Sequence, residues 1–206
     1  AETLNLPADG IEKAIVEIKH GAGRVRLQSG DDPTVLLNGI FKGGVVHSIS
    51  RNAGLATLSM QPQVHSFVDL PSSIQSEGYS WDVDFNKNIR YEFELKTGAG
   101  EMRLDFNDLL VSRIKLETGA SSTYMTLPAN AGYTRLEVHA GAAAVEIRVP
   151  EQVAARIRIQ SGMANNAVDS VRFPEANGYY CSANYDSAEN KAEIFVDGGM
   201  ASFKVY

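Results

Sequence analysis

The sequence predicts an all-β protein whose chain winds into a β-solenoid, and three observations support this prediction. One phrase recurs around Gly98, Gly119 and Gly141, and in a weaker copy around Gly162, at spacings of 21, 22 and 21 residues. Apolar and polar residues alternate on both sides of each glycine, which is typical of half-buried strands. A unit this short cannot form a propeller blade of about 40 residues, but it can form one rung that stacks on the next.

Two further copies of the phrase lie near the ends of the chain, around Gly21 and around Gly199. We therefore divide the chain into an N-terminal part with irregular rungs, residues 1–92, and a part with regular repeats, residues 93–206. The second part carries an insertion at residues 163–193. Because the same phrase occurs in both parts, we expect them to form one continuous structural unit with rungs of about 21–22 residues.

Strands are also predicted within the irregular N-terminal part. Residues 35–41 and 55–60 are rich in apolar residues, and residues 81–85 alternate strictly between apolar and polar. The irregular segments at both ends of the solenoid are expected to act as caps, because an open rung exposes unpaired backbone groups.

The recurring glycines are predicted to be structural. A corner between two strands is easily made by a residue with positive φ, and glycine adopts that conformation at little cost. We therefore expect turns with positive φ at Gly21, Gly98, Gly119, Gly141, Gly162 and Gly199.

A row of alternating charges is predicted four residues before the glycines. The row contains Glu94, Lys115, Glu137 and Arg158. In an in-register parallel stack these side chains would be neighbours, so opposite signs remove a repulsion between adjacent rungs. Exposed ion pairs contribute only about 0–1 kcal/mol each, so the row indicates register more than it stabilises the fold.

The insertion contains Tyr179, Tyr180 and Tyr185. We interpret these tyrosines first as capping or core residues, and second as a surface that could stack on a carbohydrate ligand.

Composition excludes some classes of function. The formal net charge is −6 and the isoelectric point is near 5.2, whereas a nucleic-acid surface needs clustered Lys and Arg. The single cysteine, Cys181, allows no intramolecular disulfide and is interpreted as a small apolar side chain. No run of 18 apolar residues and no basic, apolar leader is present, so we expect a soluble chain from which a signal or membrane segment could have been removed.

One stretch resembles part of a calcium loop. Asp82, Asp84, Asn86 and Asn88 have the spacing of its first four ligands, but Lys87 stands where such a loop needs glycine. Alternating apolar residues through the stretch favour a strand with a polar outer face.

No catalytic, cofactor-binding or metal-binding residue is predicted. The histidines are scattered without metal-ligand spacing, at His20, His47, His65 and His139. Phosphate-loop, nucleophile-elbow and metalloprotease motifs are lacking. Asp105 and Asp108 could form an acid–base pair, but strand and turn roles explain both carboxylates.

Several segments resemble known bacterial families. The pattern IKHGAGRVRL, followed by VLLNGIF, resembles the N-terminal region of the toast-rack family, and the tandem LKTGAGEMRLDF, LETGAS and VHAGAAAVEIRVP resembles the "putative adhesin" family. The same tandem is similar to the C-terminal domain of LiaF-type cell-wall stress response proteins. These resemblances imply a right-handed single-stranded β-helix outside a bacterial membrane, often tethered by preceding helices, and for LiaF-type proteins the restraint of a two-component sensor.

The sequence therefore favours a non-enzymatic module of the bacterial cell envelope, without a cofactor, that presents a rigid surface to a protein partner or to cell-wall polysaccharide. The alternatives are a carbohydrate-active β-helix enzyme, which needs acidic side chains clustered in a groove, and a calcium-dependent adhesin. The resemblance also implies a location at the cell surface or in the periplasm, with a membrane anchor in the full-length protein.

Overall fold

The computed structural model describes residues 1–63, 79–161 and 165–206, and these residues form strands and loops without a helix. Gly162 and His65 lie outside the described residues. The strands of the N-terminal part are β1 (Glu2–Pro7), β2 (Lys13–Gly30), β3 (Val35–Lys42), β4 (Val45–Asn52), β5 (Leu55–Pro62) and β6 (Tyr79–Asn86). The next are β7 (Arg90–Asp105), β8 (Leu110–Thr126), β9 (Tyr133–Ala140), β10 (Ala144–Arg148) and β11 (Ala154–Ser161). The last are β12 (Asn166–Val168), β13 (Glu175–Ala176), β14 (Tyr179–Cys181), β15 (Lys191–Gly198) and β16 (Ser202–Val205).

The long strands each contribute to two walls of the sheet. The first half of β2, up to Ile18, pairs in parallel with β5, whereas its second half, from Gly23, pairs in parallel with β6. We call the wall that contains the first halves of β2, β7 and β8, together with β9, β15 and β11, the first wall. The second wall contains the second halves of β2, β7 and β8, together with β10 and β16.

The corner between the walls differs in form from the predicted turn. β2, β7 and β8 continue through their glycines as single strands, and β7 keeps parallel register with β8 on both sides of Gly98. The chain breaks into two strands only farther along the described part, at Gly141 between β9 and β10 and at Gly199 between β15 and β16. The copies of the phrase around Gly21, Gly98 and Gly119 therefore form one continuous strand each, whereas the copies around Gly141 and Gly199 form two strands each.

The predicted strands at 35–41, 55–60 and 81–85 correspond to β3, β5 and β6. Their pairing is partly antiparallel: β3 lies between β1 and β6 and is antiparallel to both, and β4 and β5 form a hairpin. Positive φ values at Ala53 and Gly54 make the tight hairpin turn. These antiparallel strands extend both walls beyond β2.

The spatial order of the strands differs from the chain order near the C-terminus. β15 pairs in parallel with β9 on one side and with β11 on the other, so the strand that precedes Gly199 lies between the strand that precedes Gly141 and β11. Ile194 and Val196 are buried there, beside Leu136 and Val138. The insertion gives the chain the length to make this return.

The core lies between the walls and is filled by the inward-facing residues of each strand. One part of it is aromatic, with Phe93 stacked on Tyr91 and on Phe106 at centroid separations of 5.3 and 5.0 Å. The Tyr91 hydroxyl donates a hydrogen bond of 2.8 Å to the carbonyl of Asn86, and burial raises the pKa of that hydroxyl. A buried aromatic core of this kind gives the walls a rigid separation.

Candidate ligand-binding surfaces

The glycines at the corner allow neighbouring strands to approach closely. A Cβ atom built on Gly98 would lie 2.5 Å from the carbonyl oxygen of Gly21, and one on Gly119 would lie 2.5 Å from that of Gly98. A Cβ on Gly141 would lie 3.0 Å from the carbonyl oxygen of Gly119. Each of these glycines thus leaves room for the backbone of the preceding rung.

The prediction of positive φ at these glycines is wrong, because none of the described ones, from Gly21 to Gly199, has a left-handed backbone. Positive φ occurs two residues later, at Gly23 (126°) and Gly100 (121°). The row of corner glycines is therefore a row of close backbone contacts. At its two ends, Gly21 and Gly199, an added Cβ would have no atom within 4 Å.

A groove with a volume of about 1170 Å³ runs along this glycine row across β2, β7, β8, β9 and β15. We call it the corner groove. Its floor is the glycine backbone, and its end near the N-terminal strands is formed by Gln61, Pro62 and Tyr79. One side is a row of polar side chains placed two residues before the glycines: Lys19, Lys96, Glu117, His139 and Asp197.

The polar row is held by ion pairs on the first wall. The Glu117 carboxylate lies 3.1 Å from Lys115 Nζ and 3.3 Å from Lys96 Nζ, and the hydrogen bonds from Lys115 and then Lys96 lower the pKa of Glu117. His139 Nε2 lies 2.8 Å from Glu137 Oε1, which lowers the pKa of Glu137. The groove thus has fixed donors and acceptors along one side.

The charge row has a defined register on the first wall. Lys115 is the register neighbour of Glu94 on one side and of Glu137 on the other. Arg158, however, is not adjacent to Glu137, because β15 places Phe195 between them. Lys115 forms its ion pair with Glu117 on its own strand, and the ion pair between β7 and β8 joins Lys96 to Glu117, two residues beyond the predicted row.

A second concave surface lies on the first wall beside the groove. It encloses about 410 Å³, and its lining includes Arg135, Arg156, Arg158, Tyr179, Glu193 and Phe195. We call it the arginine pocket. The pocket could not be predicted from the sequence, because its residues come from β9, β11, β14 and β15 and meet only through the out-of-order position of β15.

The three tyrosines of the insertion occupy different environments. Tyr180 packs against the core, and Tyr185 is buried with its ring 4.9 Å from the guanidinium of Arg156. Tyr179 is 41% exposed and lines the arginine pocket. The structure therefore separates one surface tyrosine from two packing residues.

The remaining candidates have structural contacts. Asp84 accepts a hydrogen bond of 2.6 Å from Gln28, and the buried Asn86 donates to the carbonyls of Pro33 and Val35. Asp105 and Asp108 both accept hydrogen bonds from Asn107 in the turn before β8. Within residues 1–63, 79–161 and 165–206, no three His, Cys, Asp or Glu residues are grouped as metal ligands.

The fold and the glycine row match a known family. The family model described as "N-terminal domain of toast_rack, DUF2154" matches residues 1–148. The chain belongs to the toast-rack family. The match covers the corner glycines from Gly21 to Gly141 and three of the residues of the charge row.

Two solved structures are similar to this toast-rack chain. A "putative cell adhesion protein" from Clostridium sporogenes matches with a TM-score of 0.87 and 15% identity, over 99% of this chain and 97% of that chain. A "putative adhesin" from Bacteroides fragilis matches with a TM-score of 0.35 and 6% identity, over 100% and 96% of the two chains. The first likeness shows a shared fold. No curated protein matches the sequence closely enough to count as a relative.

The toast-rack chain contains, in its described residues, no helix with the length and apolarity to cross a bilayer.

Of the two surfaces, the corner groove could have been found from the sequence, since its polar row has a constant offset from the glycines. The arginine pocket could not.

Proposed function

We propose that this protein is a non-enzymatic module of the bacterial cell envelope, located outside the cytoplasmic membrane, that binds cell-wall polysaccharide in the corner groove. The observation that carries the proposal is the groove itself, which crosses five strands with a smooth glycine floor and a polar side. A chain rich in hydroxyl groups can exchange hydrogen bonds with the lysine donors and the carboxylate acceptors of that side. The adhesion description of the Clostridium sporogenes neighbour is consistent with such a surface.

In this proposal the walls form a right-handed, single-stranded β-helix with rungs of 21–22 residues. Residues 1–92 and 93–206 make one structural unit, and the N-terminal strands and the insertion cap its ends. A membrane segment outside this chain tethers the module. A contribution to envelope-stress sensing would follow if occupation of the groove were transmitted to a membrane partner.

The groove can be blocked without disturbing the fold, because Gly21 and Gly199 have open space where a side chain would start. We expect the double substitution Gly21→Gln and Gly199→Gln to reduce cosedimentation of the protein with purified cell-wall sacculi at least severalfold. The matched control is Ala144→Gln, an exposed position on β10 outside the groove, which should leave cosedimentation unchanged.

The proposal fails if the unaltered protein does not sediment with sacculi, or if the double variant and the control bind alike. Melting temperatures measured with soluble cell-wall fragments give a second readout, since a ligand of the folded state raises the melting temperature, and the rise grows with the logarithm of the ligand concentration above its Kd. A shift with calcium and none with the fragments would favour the calcium-dependent adhesin instead.

A further inference from the structure

The arginine pocket has more positive than negative charge. Arg135 on β9 and Arg156 on β11 both approach one carboxylate, Glu193, at distances of 4.0 and 3.3 Å. Arg158, on the same strand as Arg156, is exposed and has no hydrogen bond or ion pair with any residue in the described part of the chain. The lining of the pocket therefore contains three guanidinium groups and one carboxylate.

The pocket is organised before any ligand arrives. The Arg156 guanidinium lies over the buried ring of Tyr185, and Glu193 Oε2 accepts a hydrogen bond of 2.6 Å from the Tyr133 hydroxyl. These contacts hold Arg156 and Glu193 in place, so little side-chain freedom remains to be lost on binding. The fork of an arginine side chain can bind a carboxylate or phosphate through two parallel hydrogen bonds.

Aromatic side chains lie beside these charges. Phe195 is the register neighbour of Arg158 and is half-buried. Tyr179, at 41% exposure, lines the same cavity. A sugar ring has apolar C–H faces that can pack on an aromatic ring, while an acidic substituent on it can reach a guanidinium group. Free inorganic anions and acidic peptides would use the arginines but would not need the aromatic rings.

The carboxylates nearest to the pocket have partners of their own. Glu137 and Asp197 lie 2.8 and 3.6 Å from the two ring nitrogens of His139.

The net charge of the whole chain is −6, so long-range attraction does not bring a polyanion to this surface. Affinity must come from contacts made inside the pocket.

We propose that the arginine pocket binds an acidic polysaccharide, with a sugar carboxylate on Arg158 and Arg156 and the sugar ring against Tyr179. This site is separate from the corner groove, and it can be tested without reference to the function proposed for the groove. The ligand proposed for the pocket is a sugar ring that carries an acidic substituent.

Isothermal titration of the full chain with oligogalacturonate, an acidic oligosaccharide, tests the proposal. We expect Arg158→Gln to weaken binding by about tenfold or more, the usual loss for a hydrogen bond to a charged group. The matched control is Arg148→Gln, an exposed arginine on the second wall that is outside the pocket, and it should change affinity by less than about twofold. Arg158→Lys should bind with intermediate affinity, because it keeps the charge and loses the fork.

A second substitution tests whether the aromatic side chain contributes to recognition of the sugar. Tyr179→Ala should weaken oligogalacturonate binding severalfold and leave the weaker binding of poly-glutamate unchanged. The proposal is overturned if oligogalacturonate does not bind, if neutral dextran binds equally well, or if Arg148→Gln weakens binding as much as Arg158→Gln. It is also overturned if poly-glutamate or phosphatidylglycerol vesicles bind as tightly as oligogalacturonate, since the pocket would then recognise charge alone. Circular dichroism of each variant checks that the fold is retained.

Discussion

The buried histidine at the first corner predicts a specific loss of stability in acid. His20 is 2% exposed, and among the described residues neither of its ring nitrogens has a hydrogen-bond partner. Its ring packs against Trp81 at a centroid distance of 5.0 Å. Because burial disfavours the charged imidazolium, the pKa of His20 falls from 6.5 to about 4.

The expected size of the effect follows from this shift. The unfolded chain takes up a proton on this histidine near pH 6.5, whereas the folded chain does so only near pH 4. The free energy of unfolding should therefore fall as the pH is lowered through this window. A difference of about 2.5 pKa units corresponds to roughly 3 kcal/mol from this one group.

Urea denaturation of the protein and of His20→Leu, at several pH values between 7.5 and 4, measures the effect. We expect the unaltered protein to lose about 3 kcal/mol more than the variant across this range. Other groups titrate in both proteins, so the comparison isolates His20. Parallel stability curves for the two proteins would refute the reasoning and would show that His20 is solvated or paired in the folded state.

Three further predictions concern the scaffold, each measured as a free energy of unfolding in urea. Gly119→Ala should lower the free energy of unfolding by about 1–3 kcal/mol through overpacking, since the added Cβ would lie 2.5 Å from a carbonyl oxygen. Gly199→Ala, where the added Cβ has open space, should change it by no more than about 0.5 kcal/mol. Equal effects would contradict the close-contact role of Gly119. Asn86→Ala should cost about 1–3 kcal/mol, because two backbone carbonyls lose a buried donor, and an unchanged value would show that these bonds do not stabilise the loop before β3. Phe93→Ala should cost about 3–5 kcal/mol, since it removes the middle ring of the aromatic stack, and a loss below 1 kcal/mol would mean that the core collapses around the gap.

Much of the fold could be predicted because one local pattern repeats. The alternation around each glycine predicts which side chains are buried, and the structure buries Val16, Ile18, Val25 and Leu27 as the pattern requires. The role of the glycines was harder to predict. Positive φ and close backbone approach both favour glycine, and the choice between them depends on the neighbouring rung, which a single rung does not encode.

The position of β15 could not be predicted for a related reason. Periodicity orders the copies along the chain, but the insertion allows the copy around Gly199 to return between β9 and β11. Both interfaces bury the same kinds of apolar side chain, so the pattern does not distinguish this order from the sequential one. As a result, neither the interruption of the charge row by Phe195 nor the arginine pocket was visible in the sequence.

The position of β15 between β9 and β11 also determines when, during synthesis, the sheet can be completed. A ribosome makes β11 more than thirty residues before β15, and in the finished sheet β11 has no direct pairing with β9. Until residues 191–198 emerge, the edges of β9 and β11 that pair with β15 in the finished sheet lack that partner. Truncation just before Lys191 should leave a protein whose N-terminal rungs are formed and whose two open edges invite pairing with another chain.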